Sequence, residues 1–406
     1  MKIRIFCFIT ILNAVICNAI AQSKYDFIHE EANRIELNGA DWSLIRSLAH
    51  RLSLRDSIGD SVATKMHILH IGDSHIQAGH FSEAIRAATQ TTYGNGGRGC
   101  IAPLRLIGTN QPTDYTITSP QRVARKGRIS ARNRSNLDFG VTGVAAMLSP
   151  HRATIEIGVK QPDDEFTSIT LLHASGKGYR EAKFAGKTHE ASCPTAYEST
   201  FTLEAPSQKI SIADINASSE FWGVFLSNPH SGAIVSSIGN NSACYSHYNL
   251  IPHFAEQAAS LEPQLVIISL GTNEAFGRFS ESEFTLQIDK LVTNLRRAMP
   301  QVCILLTTPM ECDRRKGSRR RRRRRQVSFA TNANCKLVRD AIIKYGSDHN
   351  IAVWDLYEVA GGDGSAAKWV QNGLLAKRDH VHCSTEGYTL QGELLSIALL
   401  KTLSEE

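Results

Sequence analysis

Three residue types that suit nucleophilic catalysis occur in two short blocks at opposite ends of the chain. Ser74 lies in the sequence GDSH, directly after the apolar run 68–71, and the sequence DHVH places Asp379 and His382 three residues apart. A serine hydroxyl is a weak nucleophile until a base, usually a neutral imidazole, removes its proton. A carboxylate on the other ring nitrogen fixes the tautomer of that imidazole and stabilises the imidazolium. The pattern therefore predicts acyl chemistry at Ser74, with His382 as base and Asp379 as its partner.

A third block supplies a group that stabilises negative charge. The sequence GTNE places Asn273 after the apolar run 265–270. An oxyanion that forms on an attacked carbonyl needs hydrogen-bond donors, and loss of one donor typically costs about 2.7–4 kcal/mol of barrier. The side-chain amide of Asn273 is expected to be one of these donors, beside backbone N–H groups.

Apolar runs that alternate with helical patterns must bring these blocks together. Five runs are typical of buried strands, and helices are predicted between them: HILHIG, GAIVSSIG, LVIISL, CILLTT and IAVWDL. Continuous apolar strands alternating with helices indicate a parallel sheet that is covered on both faces. The sequence thus predicts an α/β fold with a doubly wound parallel sheet, whose functional residues gather at the carboxyl ends of the strands.

A different pattern separates the first of these strands from the others. Between residues 115 and 228, short alternating runs such as ATIEIGV and STFTLEA are separated by Gly, Pro, Asn and Asp. This pattern is typical of antiparallel strands packed as a sandwich. We expect an inserted all-β domain at 115–228, within a hydrolase-like α/β domain at 66–114 and 229–406. A helical segment at 22–65 is expected to precede both.

The blocks, in this order, resemble the SGNH or GDSL-type serine hydrolase superfamily. The resemblance implies a flavodoxin-like hydrolase fold with Ser74 as nucleophile, Asp379 and His382 as its triad partners and Asn273 as an oxyanion donor. A second oxyanion donor is implied in the block SIGNNSA, where the family glycine matches either Gly239 or Ser242. The third block departs from the more common Gly-x-Asn-Asp, because Glu274 follows Asn273.

The blocks IGDSHIQAG, YGNGGRG and LAKRDHVHCSTEGYTLQG look most like those of bacterial peptidoglycan O-acetylesterases, which carry an inserted carbohydrate-binding-like sandwich. That resemblance implies removal of acetyl esters from a glycan, namely peptidoglycan, and implies no cofactor or metal. The alternatives are an esterase or lipase for other acyl chains, an envelope O-acetyltransferase, and a glycan-binding protein with a vestigial hydrolase domain.

The N-terminus predicts export. Lys2 and Arg4 precede an apolar run that ends in Ala19-Ile20-Ala21, which is the pattern of a cleaved signal peptide at 1–21. No later run is apolar enough for a transmembrane helix, so a periplasmic or envelope-associated protein is expected. The seven remaining cysteines are an odd number, so at least one is expected to be free.

The formal net charge of +6 is ascribed to residues 314–316 and to the unbroken run Arg319–Arg325. Charges this dense repel one another, so the run is predicted to be a solvated loop. The alternative is attraction to an anionic envelope polymer. Nucleic acid is not an expected partner, because no aromatic or groove-reading motif accompanies the run.

Several other residues in or near these blocks allow a structural interpretation. Four histidines are read as surface or supporting residues rather than catalytic ones: His75, His80, His247 and His380. The sequence YGNGGRG lacks the Gly-Lys-Ser/Thr end of a phosphate loop and predicts a tight loop, with Arg98 as a substrate or structural contact.

Overall fold

The computed structural model describes residues 24–55, 63–131, 136–149, 152–175, 179–216, 220–316 and 328–405. The predicted signal peptide and the arginine run Arg319–Arg325 lie outside these residues. Within them, the strands are β1 Ile35–Glu36, β2 Lys65–Gly72, β3 Gly99–Ile101, β4 Tyr115–Thr118, β5 Arg122–Arg128, β6 Val144–Ser149, β7 Arg152–Val159, β8 Phe166–His173, β9 Glu181–Phe184, β10 Lys187–Glu190, β11 Glu198–Ser207, β12 Lys209–Asn216, β13 Phe221–Ser227, β14 Gly232–Gly239, β15 Leu265–Ser269, β16 Cys303–Thr307, β17 Asp313–Arg315, β18 Phe329–Thr331 and β19 Ala352–Trp354.

The helices of the described residues are mostly placed between the later strands. They are α1 Ser43–Ser53, α2 Ser74–Gln77, α3 His80–Tyr93, α4 Leu104–Ile107, α5 Tyr245–Tyr248, α6 Phe254–Ser260, α7 Thr272–Phe276, α8 Glu281–Ala298, α9 Asn334–His349, α10 Leu356–Val359, α11 Ser365–Gln371 and α12 Thr385–Ser404. Two 3-10 helices cover Glu30–Ala32 and Pro162–Asp164. No helix within the described residues has the length and apolar character needed to cross a membrane.

One six-stranded sheet carries the blocks singled out above. Its order is β1-β19-β16-β15-β2-β14, and β1 alone pairs antiparallel to its neighbour in the described part of the sheet. Numbered along the chain, the five parallel strands follow the order 2-1-3-4-5, one of the two common orders of doubly wound sheets. The fold is thus mixed α/β, with a largely parallel sheet.

Helices pack on both faces of this sheet, which explains why its strands are apolar throughout. In β2, Leu69 and Ile71 belong to the core beneath α6, α8 and α9. Ile68, which points the other way, joins the core beneath α1, α3 and α12. The carboxyl ends of the strands remain uncovered by these helices and carry the polar turns.

Two antiparallel sheets occupy the chain between β3 and β14. Their orders are β10-β9-β12-β7-β4 and β11-β8-β13-β6-β5. Both contribute to one apolar core, in which Ile157 of the first sheet is buried with Phe201 and Val224 of the second. Strand β3 pairs with β13, which joins the second antiparallel sheet to the segment that follows α3.

The segment predicted to be helical at 22–65 has a more varied structure. Helix α1 is present, but Ile35–Glu36 forms the edge strand β1, and β2 already begins at Lys65. Ile35 pairs with Trp354 of β19 and is buried. A two-residue strand is too short for its alternation to be read, and only the partner strand, distant in sequence, determines it.

The cysteines of the described residues are free thiols, and two of them lie close together. The Sγ atoms of Cys312 and Cys335 are 3.3 Å apart in the buried core beneath α9.

Candidate active site

Ser74 stands at the carboxyl end of β2, where the strand turns sharply into α2. Asp73 caps this helix, because its Oδ1 accepts a hydrogen bond of 2.9 Å from the N–H of His75. The preceding Gly72 allows the close packing, since a Cβ there would lie 2.1 Å from the Ile76 side chain. The turn therefore presents Ser74 at the sheet rim, at the first position of a helix.

Two loops that are 308 residues apart in sequence meet at this serine. The Oγ atom of Ser74 lies 3.0 Å from Nε2 of His382, and Nδ1 of His382 lies 3.1 Å from Oδ2 of Asp379. The side chain of His382 is 42% exposed, so solvent and a substrate can reach the ring. The structure thus brings the three predicted residues into one hydrogen-bonded chain.

The Asp379 carboxylate is stabilised by its own loop. Burial alone would raise its pKa, but the N–H groups of His382 and Val381, each 3.0 Å from Oδ1, and the His382 ring hold the pKa below its ordinary value. A carboxylate that accepts backbone N–H groups in this way remains ionised and fixed in orientation. It is suited to accept a hydrogen bond from Nδ1–H of His382.

Asn273 lies at the N-terminus of α7, at the carboxyl end of β15. Its Nδ2 donates to Oδ2 of Asp73 at 2.9 Å and to the carbonyl oxygen of Ala243 at 3.0 Å. Asn273 is thereby fixed between the nucleophile turn and the turn that follows β14. The contact with Asp73 could not be predicted from the sequence, because the two residues are 200 positions apart.

The two candidate positions for the second oxyanion donor have different environments. Gly239 is the last residue of β14 and lies under α2, where a Cβ would be 2.0 Å from the backbone nitrogen of Gln77. Ser242 is exposed, has a left-handed φ of 64°, and belongs to the turn closed by the Ala243 N–H and the Asn240 carbonyl. The absence of a side chain at Gly239 therefore allows helix and strand to touch, whereas Ser242 lies in the turn that contacts Asn273.

Two buried carboxyl groups lie behind the serine. Burial raises the pKa of Asp73 to about 7, although the N–H of His75, the His382 ring and the Asn273 amide oppose the shift. Burial likewise raises the pKa of Glu274 to about 7, against the hydrogen bond of 2.8 Å that its Oε1 accepts from the Tyr245 N–H. Glu274, the departure from the usual motif, is thus a buried group that ties α7 to α5.

His75 is a supporting neighbour of the triad. Its ring stacks on that of His382, with the centroids 5.6 Å apart, and its Nδ1 lies 3.1 Å from the Tyr388 hydroxyl. Burial lowers the pKa of His75 to about 3, assisted by the nearby His382. His75 is therefore neutral at physiological pH and adds no positive charge beside the His382 ring.

The other three histidines have structural contacts away from the Ser74 hydroxyl. His80 Nε2 lies 3.2 Å from Thr385 Oγ1, and His247 Nδ1 accepts a hydrogen bond from the Cys244 N–H at 2.9 Å. His380 belongs to the triad loop but contacts Asp313 through Nδ1 at 2.7 Å and stacks on Phe329. These contacts agree with the interpretation of the three histidines as surface or supporting residues.

Gln77 is a site neighbour that the sequence patterns did not indicate. This buried side chain accepts a hydrogen bond of 2.7 Å from the Asn241 N–H through Oε1. Through Nε2 it donates to Thr109 Oγ1 at 3.1 Å and to Asn110 at 2.8 and 2.9 Å. Gln77 thus links the nucleophile helix to the turn before Ser242 and to the loop that leads into β4.

Arg98, of the glycine-rich block, makes structural contacts. It is buried, and its Nε and Nη2 lie 2.8 and 2.6 Å from Oδ2 of Asp114. Trp222, in β13, is buried as well and donates from Nε1 to the Asp138 carbonyl at 2.8 Å. Among the described residues, no three His, Cys, Asp or Glu side chains converge as metal ligands would.

The comparison with family models finds one match. Residues 226–390 match the GDSL-like Lipase/Acylhydrolase family. These residues include Asn273 and the Asp379–His382 loop, whereas Ser74 lies ahead of the antiparallel sheets and outside the match. No curated protein matches the sequence.

One of the similar solved structures matches over most of the chain. The structure titled "Peptidoglycan O-acetylesterase in action, 5 min" is 20% identical, has a TM-score of 0.71 and covers 93% of this chain and 98% of its own. A family two carbohydrate esterase from Clostridium thermocellum in complex with cellohexaose is 12% identical, with a TM-score of 0.31 and coverage of 64% and 95%. A lipase/acylhydrolase from Enterococcus faecalis is 19% identical, with a TM-score of 0.31 and coverage of 42% and 78%.

The structural similarity with a TM-score of 0.71 covers the antiparallel sheets as well as the parallel sheet, so it concerns the whole architecture. The family match covers the three later sequence blocks, SIGNNSA, GTNE and DHVH. The family match at residues 226–390 and the similarity of the overall fold support a carboxylic ester hydrolase of the SGNH/GDSL type.

Proposed function

We propose that the protein is an exported serine esterase that removes acetyl groups from peptidoglycan through an acyl-enzyme on Ser74. The observation that carries this proposal is the continuous contact from Ser74 Oγ to His382 Nε2 and from His382 Nδ1 to Asp379. A serine held 3.0 Å from an imidazole whose other nitrogen faces a carboxylate is the arrangement that activates the hydroxyl.

The proposed reaction has two halves. His382 removes the proton from Ser74 as Oγ attacks the acetyl carbonyl, and Asp379 stabilises the imidazolium that forms. The tetrahedral intermediate collapses, the ester bond to the sugar breaks, and the sugar oxygen takes the proton from His382. Water, deprotonated by the same imidazole, then attacks the acetyl-enzyme, which releases acetate and returns the proton to Ser74.

Negative charge on the carbonyl oxygen is proposed to be held by three donors: the Ser74 N–H, the Asn273 amide and the Ser242 N–H. Ser242 is preferred to Gly239 because the turn at 240–243 contacts Asn273, and because Gly239 lies beneath the backbone of α2. Neither the Ser74 N–H nor the Ser242 N–H has a hydrogen-bond partner among the residues described here.

The substrate and the location are inferred from three further observations. The sequence blocks resemble those of peptidoglycan O-acetylesterases, and the overall fold is similar to that of one such enzyme. The N-terminal residues have the pattern of a signal peptide, which supports a location of the mature chain outside the cytoplasm. We propose that the two antiparallel sheets, within 115–228, form an inserted carbohydrate-binding-like domain in a hydrolase domain at 66–114 and 229–406.

Acetate release tests the substrate class. The mature protein would be incubated with O-acetylated peptidoglycan, p-nitrophenyl acetate and p-nitrophenyl octanoate, with the Ser74→Ala variant as control. The proposal predicts acetate from peptidoglycan, faster hydrolysis of the acetyl than of the octanoyl ester, and loss of all three in the variant. Hydrolysis of p-nitrophenyl esters without release of acetate from peptidoglycan would support an esterase but exclude peptidoglycan as its substrate.

A further inference from the structure

A strand next to the active-site rim has an unusual charge. Strand β5, Arg122–Arg128, reads RVARKGR and stands at the end of its sheet, paired with β6. From residue 116 to residue 137, the sequence has six Arg or Lys residues and no Asp or Glu. Three of these cations, Arg122, Arg125 and Lys126, are exposed. The basic character of the chain is therefore not confined to residues 314–325.

The charges of this strand are not neutralised by the described part of the protein. Arg125 donates to the neutral carbonyl of Asn136 at 2.8 Å, and Arg122 and Lys126 have no carboxylate partner among the described residues. Uncompensated exposed cations on one strand produce a local positive potential, which attracts polyanions over about a Debye length. The surface formed by Arg122, Arg125 and Lys126 is called the cationic edge below.

The cationic edge is connected to the nucleophile by a short series of contacts. Arg128, at the end of β5, donates from Nη1 to Thr109 Oγ1 at 3.4 Å. The same oxygen accepts hydrogen bonds from Gln77 Nε2 at 3.1 Å and from Asn241 Nδ2 at 3.2 Å. Gln77 ends the helix that begins with Ser74. A polymer lying along β5 would therefore reach the rim of the site.

We propose that the cationic edge is a docking surface for the carboxylates of a polymeric substrate, namely the stem peptides of peptidoglycan. The inference rests on the proposed function, because it assigns the non-sugar part of the same substrate to a surface beside the site. The stem peptides carry carboxylates along a neutral glycan, so the exposed cations of the strand are complementary to them in charge. The docked strand then presents its acetyl ester to Ser74.

A competing explanation for the same cations is protection of an edge strand. Exposed Lys and Arg residues on edge strands discourage pairing with a second chain. That role predicts that the loss of the cations causes self-association and leaves affinity for peptidoglycan as it was. The two explanations thus differ in a measurable quantity.

Binding can be measured separately from catalysis. The Ser74→Ala protein would be co-sedimented with intact insoluble peptidoglycan and with the same material after its carboxylates have been coupled to glycinamide by a carbodiimide, which neutralises them. The test variant adds Arg122→Gln, Arg125→Gln and Lys126→Gln, and leaves Arg128 in place because of its contact with Thr109. The control variant removes three exposed cations from the other antiparallel sheet: Lys183→Gln, Lys187→Gln and Lys209→Gln.

The proposal predicts that the test variant binds intact peptidoglycan about tenfold more weakly than its parent, as expected for the loss of three surface ion pairs. It further predicts that parent and test variant bind the carboxylate-blocked peptidoglycan equally, that the parent binds intact peptidoglycan more weakly at high salt, and that the control variant binds it with the affinity of the parent. Equal affinity of parent and test variant for intact peptidoglycan would overturn the docking surface, with or without self-association in gel filtration.

The same proteins with Ser74 restored separate this inference from the proposed function. If the wild type and the test variant release acetate at equal rates from limiting intact peptidoglycan, the docking surface is rejected and the proposed esterase activity is retained. If the wild type binds intact peptidoglycan through the cationic edge but releases no acetate from it, the proposed esterase reaction on peptidoglycan is rejected and the docking surface is retained.

Discussion

The amide of Asn273 donates to the carboxylate of Asp73 at 2.9 Å, one residue before the nucleophile. Its second N–H donates to the Ala243 carbonyl at 3.0 Å, so the amide has two acceptors before any substrate is present. As an oxyanion donor, Asn273 must break or share one of these two hydrogen bonds when negative charge develops on the carbonyl oxygen of the substrate. The Asp73 carboxyl thus positions the Asn273 amide. It also competes with the oxyanion of the transition state for a hydrogen bond from that amide.

Replacement of this amide separates the catalytic role from the structural one. Asn273→Ala is expected to lower kcat for p-nitrophenyl acetate by about 10²–10³ with little change in KM, because the donor acts on charge that exists only in the transition state. Steady-state kinetics and thermal melting would be measured on the same protein. A lower melting temperature with an unaltered kcat would mean that Asn273 only ties the two turns together.

The Asp379 carboxylate is expected to act through His382. Asp379→Asn keeps the size of the side chain but removes the charge that orients Nδ1–H, so kcat should fall by about 10³–10⁴. The exposed Asp163→Asn, on the short 3-10 helix before β8, serves as a control for loss of a charge. Comparable kcat values for wild type and Asp379→Asn would remove Asp379 from the mechanism.

The two candidate oxyanion positions respond differently to small changes. Ser242→Gly should raise the melting temperature, because a left-handed φ of 64° costs an L-residue roughly 1 kcal/mol that glycine does not incur. Gly239→Ala should lower both stability and kcat, since its Cβ would meet the Gln77 nitrogen and displace the helix that carries Ser74. A fully active, stable Gly239→Ala protein would contradict the packing role given to this glycine.

The buried Glu274 predicts a pH-dependent stability. Its pKa is raised from 4.5 to about 7, so the folded protein binds more protons than the unfolded chain between these values, and stability falls as the pH rises through them. Above this range the burial of the charged group costs on the order of 3 kcal/mol. Glu274→Gln, which keeps the acceptor for the Tyr245 N–H, should therefore raise the melting temperature more at pH 8 than at pH 5.

The control for this experiment is Glu181→Gln, a change at an exposed strand residue. It should shift the melting temperature little at either pH. An effect of Glu274→Gln that is the same at pH 5 and pH 8 would show that the carboxyl does not titrate over this range, contrary to a pKa of about 7.

The apolar pattern determined much of what could be predicted from the sequence. All five runs that were read as parallel strands are strands of one sheet, because their apolar character on both faces reflects helices packed on each side. The blocks after β2 and β15 could be singled out since small and polar residues interrupt an apolar run abruptly. Strand β1 could not, because two residues show no period.

The contacts that refine the site depend on tertiary structure. The stacking of His75 on His382 and the hydrogen bond from Asn273 to Asp73 join residues that are hundreds of positions apart. The burial of Glu274 depends on α5 folding over it. Strand β5 shows no apolar alternation, because it is an exposed edge strand. A binding role for its charged residues could be inferred only from the structure, in which the end of the strand contacts Thr109.

The most direct test of the central claim is to trap the acyl-enzyme. Wild-type protein and the Ser74→Ala variant would be mixed with p-nitrophenyl acetate, quenched in acid within one turnover and digested for mass spectrometry. A mechanism with an acyl-enzyme on Ser74 predicts one acetyl group on the peptide that contains Ser74 in the wild type, and none on the corresponding peptide of the variant. Turnover by the Ser74→Ala variant at the wild-type rate, or an acetyl group on another residue that forms and decays at the rate of turnover, would contradict it.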